Sequence, residues 1–408
     1  MRGPRSSFVS LLIVSLALAA GGALLAQRGQ GGGRGQQANR VEIQEGQECP
    51  PGMTEVRHLQ CQAPADAAPS IVDYRPRSTV VAPEHLVPKA KYPVVDVHTH
   101  VTETAENMPK MTQEMDALNL RVLVNLSGGS DPEQVKRKVD AIKASPYKDR
   151  FRVFANVNWN GAGGPGWKEK ALADLEQAVK NGAIGLKIFK GLGLSDKKAD
   201  GSRLHVDDPD LDPIWDLCAR LNIPVIIHTA DPEEFFQPLD YKNERWLELN
   251  VFPGRRYPQD RYPSFEELMK ERDAMFAKHP KTRYIAAHFA WYGNDLPRLS
   301  KMLDAMPNVY PEVAAVLYEF GRQPHASREF FIKYQDRVLF GKDTYEPSEY
   351  PYYWRVFETT DEYFDYYRHY HAFWKLYGMG LPDEVLKKLY FRNALKVEPG
   401  LPQSGWPQ

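Results

Sequence analysis

The chain is short of cysteine, of any charge surplus and of a nucleotide-binding glycine signature, and each shortage removes a class of protein. Three cysteines in 408 residues cannot staple a disulfide scaffold. With 52 basic against 53 acidic side chains the formal net charge is −1, so no basic excess exists to neutralise a phosphate backbone and nucleic acid is not expected as a partner. No G-x-G-x-x-G follows a β-rich run. The Gly-rich pieces 161–166 and 191–193 lack the Lys-Ser/Thr ending of a phosphate loop. Apolar residues at 42% and charged residues at 26% give a globular composition, neither disordered nor multispanning. The length suits one large α/β domain or two smaller ones.

What is present begins with a leader. Residues 1–7 carry Arg2 and Arg5 and no acid, residues 8–25 are apolar or small, and Ala23-Leu24-Leu25-Ala26 precedes Gln27. This reads as a Sec-type signal peptide over 1–26, which places the mature chain in the periplasm or secretes it, with no membrane span remaining. Left uncleaved, a stretch of this length would just span a bilayer and anchor the chain. A flexible Gly/Gln/Arg linker follows and opens an N-terminal extension over 27–90. Within it, Cys49 and Cys61 can close a small loop in an oxidising compartment or stay as two thiols. Cys218 falls in an apolar helical pattern and reads as core.

From residue 92 onward, β-rich runs alternate with amphipathic segments. The runs are 94–98, 121–126, 151–157, 184–189, 223–228, 283–287, 309–313 and 337–340, mostly without strict polar alternation, as parallel strands covered on both faces require. Helical patterns occupy 132–143, 168–180, 210–221, 265–278, 296–306 and 328–336. Eight such runs over about 300 residues suggest an α/β fold, a (β/α)8 TIM barrel over 91–397, with a doubly wound open sheet as the alternative. Two connections exceed turn length, 231–263 and the aromatic-rich insertion 345–382. Each reads equally as a lid and pocket wall or as a docked excursion with its own core. Residues 398–408 form a tail, untied from 399.

Polar residues close these runs. His98 and His100 share one face of the first run, because side chains alternate along a strand, and they form a ready pair of metal ligands. Lys187 lies within the fourth run, His228 and His288 end the fifth and sixth, and Asp343 follows the eighth. Any one of these alone reads as a hydrogen-bonded strand end. Five strands offering titratable ends to one centre define a metal site, given the barrel.

The ordered set resembles the amidohydrolase superfamily of metal-dependent TIM-barrel hydrolases, and more narrowly its amidohydrolase-related (amidohydrolase 2) branch. The resemblance spans 92–397. It rests on Val95-Asp96-Val97-His98-Thr99-His100, Gly185-Leu186-Lys187, His228-Thr229, His288-Phe289, Gly341-Lys342-Asp343 and Asn393-Ala394-Leu395, with Lys396 where many relatives carry arginine. It implies a divalent metal, zinc first, held by His98, His100 and Asp343. In a one-metal form His228 joins as ligand and His288 acts as acid/base or electrophile. In a two-metal form a carbamylated Lys187 bridges, and His228 and His288 bind the second ion. One metal is the favoured reading.

The activity implied is hydrolysis of an amide, ester or lactone of a small molecule, with Asp343 moving the proton. The alternative is metal-dependent non-oxidative decarboxylation of an unsaturated or aromatic acid, using Lys187, Arg255, Arg256 or Arg283 as carboxylate clamp. A third reading is a non-catalytic exported binding protein. Asp96, a pleat deeper than the ligand histidines, reads as their structural support. The sequence leaves homo-oligomerisation open.

Overall fold

A computed structural model describes residues 40–67, 69–371 and 373–408. The leader of 1–26 and the linker as far as residue 39 lie outside the described residues. The chain divides into two units between Arg75 and Pro76. In the first, strands β1 (Arg40–Glu42), β2 (Thr54–Arg57) and β3 (Gln60–Gln62) form an antiparallel sheet in the order β1-β3-β2. Cys61, at the buried centre of β3, is disulfide-bonded to Cys49.

The second unit is the barrel. Strands β4 (Val94–Thr99), β5 (Leu120–Asn125) and β6 (Phe151–Val153) run parallel in one sheet. Strands β7 (Leu186–Ile188), β8 (Val225–Ile227), β9 (Tyr284–Ala286) and β10 (Val309–Pro311) run parallel in another. Three parallel bridges join the ends into a ring: Ala155 with Leu186, Glu312 with Leu339, and Thr99 with Asp343. Residues 338–343 thus take the eighth position. They do so by single bridges rather than as the full strand expected at 337–340, and Val97 N–H donates to Phe340 O at 3.0 Å. Every residue of β4 and β7–β10 is buried, which explains the unbroken apolar runs of the sequence.

Local chemistry sets the helices between strands. Asp131 caps Pro132–Ala144 by accepting from Glu133 N–H at 3.0 Å, with proline at the first helical position. Ser264 caps Phe265–Lys278 by accepting from Glu267 N–H at 3.1 Å, and Val135, Val139 and Ile142 of the first helix face inward. A helix at Asn107–Leu118, which follows β4 and precedes β5 in the chain and is not expected from the sequence, buries Met108, Met111 and Met115. No helix among the described residues is long and apolar enough to cross a membrane.

The insertion after the eighth position is docked on the barrel in both halves, Phe364, Tyr366 and Leu376 being buried in the second. Helix Tyr350–Glu358 buries Tyr350, Tyr353, Trp354 and Phe357 completely. Their rings, with that of Tyr390, surround Phe340 at centroid distances of 5.0–6.5 Å. Phe340→Ala would empty this centre, and a loss of about 3–5 kcal/mol is expected, read as a lowered denaturation midpoint. A change within about 1 kcal/mol would show that the ring cluster does not hold the insertion.

The tail differs from expectation. Leu401 is buried, the Trp406 indole stacks on Phe391 at 5.2 Å, and the Arg121 guanidinium lies 4.5 Å from the indole while donating to the Ser404 and Gly405 carbonyls. An aromatic–cation stack formed across the fold ties down a segment without internal periodicity.

Candidate metal centre

The residues singled out at strand ends gather at the C-terminal end of the barrel strands, and their orientation is set by partners behind them. His98, fully buried, has Nδ1 2.9 Å from Glu312 Oε1. His100 has Nδ1 2.7 Å from Ser127 Oγ. With both Nδ1 atoms engaged, the two Nε2 atoms turn to one oxygen, Asp343 Oδ1, at 3.6 and 3.4 Å. His98, His100 and Asp343 offer one donor atom each within 4.8 Å of one another. Two imidazoles whose second nitrogens are hydrogen-bonded, converging with a carboxylate, are a donor set that fits a divalent ion.

The charge states agree with that fit. Burial first, then the charge of Lys187, pushes the His98 imidazole well below its usual pKa and His100 down to about 4, so both are neutral donors at neutral pH. Burial alone would raise the Asp343 carboxyl, but His98, His288, His100 and Lys187 together hold it well below the carboxylate range. Asp343 adopts a left-handed φ of 77°, and its N–H donates to His98 O at 2.7 Å, which clamps the eighth position to β4. Behind it, Asp96 accepts from His98 N–H at 3.0 Å, Lys342 N–H at 3.1 Å and the Tyr350 hydroxyl at 2.7 Å.

Lys187 is buried with Nζ 3.2 Å from His98 Nε2, and burial, opposed by Asp343 and Glu312, brings its pKa down to about 8. His288 and His228 form a separate pair. The Ala314 carbonyl can only accept, so His288 Nδ1, 2.9 Å away, carries the proton and Nε2 is left bare. That Nε2 lies 3.2 Å from His228 Nδ1, and His228 Nε2 lies 3.3 Å from Asp231 Oδ1. Asp231 is held in turn by Lys190 Nζ and the Tyr257 hydroxyl, each at 2.5 Å. His228 is therefore placed with His288 and Asp231, outside the three-donor cluster of His98, His100 and Asp343.

Two features were not legible as site elements. Glu312, fully buried after β10, accepts from His288 N–H at 2.7 Å through Oε1 and from Ala314 N–H at 2.6 Å through Oε2, besides holding His98. It is a carboxylate just after an apolar run, the same signal that marked Asp343. The second feature is the backbone from His288 to Trp291, four consecutive non-glycine residues at φ 56–57°. Such a conformation costs about 1–2 kcal/mol per residue. Burial of the Phe289 ring against Phe320, Phe330 and Phe331, and a 2.7 Å bond from Phe289 N–H to Glu312 O, offset it. The turn aims His288 inward and stacks Trp291 on it at 4.6 Å.

A parallel (β/α)8 barrel with an H-x-H pair, strand-end histidines and a closing aspartate defines a metal-dependent barrel enzyme. The chain belongs to the amidohydrolase family, whose pattern it matches over residues 95–397. It is an amidohydrolase-type enzyme, and the donors described fit the divalent metal of a metal-dependent family. No curated protein matches the chain. Among solved structures it is similar to an uncharacterised TIM-barrel protein from Bordetella bronchiseptica, at 15% identity, TM-score 0.46, covering 76% of this chain and 99% of that one. It is also similar to a dihydroxybenzoic acid decarboxylase from Polaromonas sp. with bound manganese and 2-nitroresorcinol, at 13%, TM-score 0.46, 76% and 97%. A third is a 4-oxalomesaconate hydratase from Rhodopseudomonas palustris, at 13%, TM-score 0.44, 76% and 96%.

Proposed function

We propose that this protein is an exported hydrolase that uses one zinc ion to cleave an amide, ester or lactone bond of a small substrate. The observation that carries the reading is the convergence of His98 Nε2 and His100 Nε2 on Asp343 Oδ1 with both Nδ1 atoms fixed from behind. His98, His100 and Asp343 would hold the ion, with His228 the residue to complete the set if it leaves His288. The bound ion would polarise a carbonyl and make a water acidic enough to attack at neutral pH. Asp343 would accept a proton from the attacking water and pass it to the leaving group. His288 Nε2, unprotonated and paired with His228 Nδ1, would accept or return a proton on the substrate side once His228 turns away. Lys187, buried beside His98, would supply a cation to the developing oxyanion, and as its carbamate it would be a ligand for a second ion instead.

Export is supported by the leader pattern and by the Cys49–Cys61 disulfide, which belongs in an oxidising compartment. The second reading, decarboxylation, is favoured by one observation, the buried Lys187 cation within the site. Reaction of a lactone, ester and carboxylic-acid panel in ¹⁸O-labelled water separates the two. One labelled oxygen in the acid product is expected. Release of CO₂ with no label in the product would contradict hydrolysis.

A further inference from the structure

Away from the metal centre, the two insertions meet in a largely buried cluster in which two carboxylates are each shared between two cations. Arg245 and Glu248 are buried together, with Arg245 Nε donating to Glu248 Oε2 at 2.8 Å, and Arg255 donates to the other oxygen of Glu248. Lys342 and Arg368 likewise share Glu349. Four cations thus rest on two carboxylates. Glu234 and Glu319, the other acids near Arg245, are pushed up by burial, Glu319 to about 7, and Arg322 engages both Glu319 and Glu244.

His371 lies at the centre. Its ring packs against Tyr318 at 4.4 Å and Tyr366 at 5.6 Å, and its Nε2 is 3.5 Å from Glu248 Oε2. Burial, then the charges of Arg245, Arg368 and Arg255, keeps it neutral. Among the described residues, Arg245 Nη1 and His371 Nδ1 are buried without a hydrogen-bond partner. An unpartnered buried donor is costly and marks a place that a ligand or water completes. Water would satisfy the donors alone, whereas an anion would also face the cations that share Glu248 and Glu349.

The cluster connects to the reacting centre through two rings. Arg245 Cζ lies 4.6 Å from the Tyr318 ring, Tyr318 lines one cleft with Trp291, and Trp291 stacks on His288. Glu248 and Tyr318 fix the guanidinium plane and leave its Nη1 edge free, the rigid donor geometry that pairs with a carboxylate.

We propose that Arg245, with Arg255, Arg368 and His371 around it, binds a carboxylate of the substrate, so that the enzyme acts on small organic acids whose reacting carbonyl lies toward His288. This rests on the function proposed above. Titration calorimetry of the full chain with succinate and, in parallel, orthophosphate tests it, on metal-loaded and metal-free protein with metal content measured in each preparation. Succinate is expected to bind both forms, with affinity lowered about tenfold or more by Arg245→Met and severalfold by Arg255→Gln, at unchanged metal content. If Arg245→Met fails to fold, Arg255→Gln and Arg368→Gln carry the test. Succinate binding that requires the metal, or that the arginine variants leave unchanged, overturns the site, and phosphate binding as tightly as succinate overturns its assignment to a carboxylate. Loss of metal with succinate binding intact supports this site and contradicts only the metal-dependent reading.

Discussion

Asp343→Asn is expected to reduce kcat by about three orders of magnitude, because it removes both the anionic member of the donor cluster and the group that carries the proton. The substitution is a clean probe. Asparagine tolerates the left-handed φ of 77° at this position, and the backbone bond to His98 O does not involve the side chain. The backbone conformation should therefore be kept, and any loss of stability should come from the buried Lys187 cation losing its partner charge. The charge that lets two buried imidazoles and Lys187 sit side by side disappears, so divalent-metal affinity should fall along with kcat. Steady-state kinetics with metal analysis on the same preparation checks this. An Asn variant within tenfold of the parent in kcat would remove Asp343 from the chemistry.

Glu312→Gln is the second large effect, although Glu312 was not among the residues marked from sequence. Its two oxygens meet three donors: His98 Nδ1, His288 N–H and Ala314 N–H. A carboxylate accepts from all three, whereas glutamine must turn an NH₂ toward one of them. An unsatisfied buried donor costs about 1–3 kcal/mol. The loosened His98 ring should weaken metal binding by about 10–100-fold. The left-handed turn at His288 depends on the same residue, so kcat should fall together with metal affinity. Metal titration and thermal denaturation of the variant check both effects. Parent-like metal affinity would show that Glu312 is a packing residue only.

The contrast between Asp343 and Glu312 shows how far this site can be read from sequence. His98, His100, Lys187, His228, His288 and Asp343 stand out because parallel strands are apolar on both faces, so a titratable residue at their end is conspicuous. Glu312 has the same position but follows Pro311 inside a run that continues to Val313, and the pattern passes over it. The pairing of His228 with His288 and Asp231 depends on rotamers and on the left-handed turn, and no glycine between His288 and Trp291 announces that turn. The barrel was legible from its periodicity, except at the eighth position, where bridges to Glu312 and Thr99 replace a regular strand. Docking of the tail by Trp406 on Phe391, and of the insertion on Phe340, is set by tertiary contact and leaves no local pattern.

Elemental analysis of metal per chain, on protein prepared without chelators and with bicarbonate present, bears most directly on the metal centre. About one divalent ion per chain is expected, retained in Lys187→Met and lost in His100→Ala. Near two ions, falling to one in Lys187→Met, would contradict the one-metal form, and no bound ion even after zinc or manganese is supplied would contradict the centre itself.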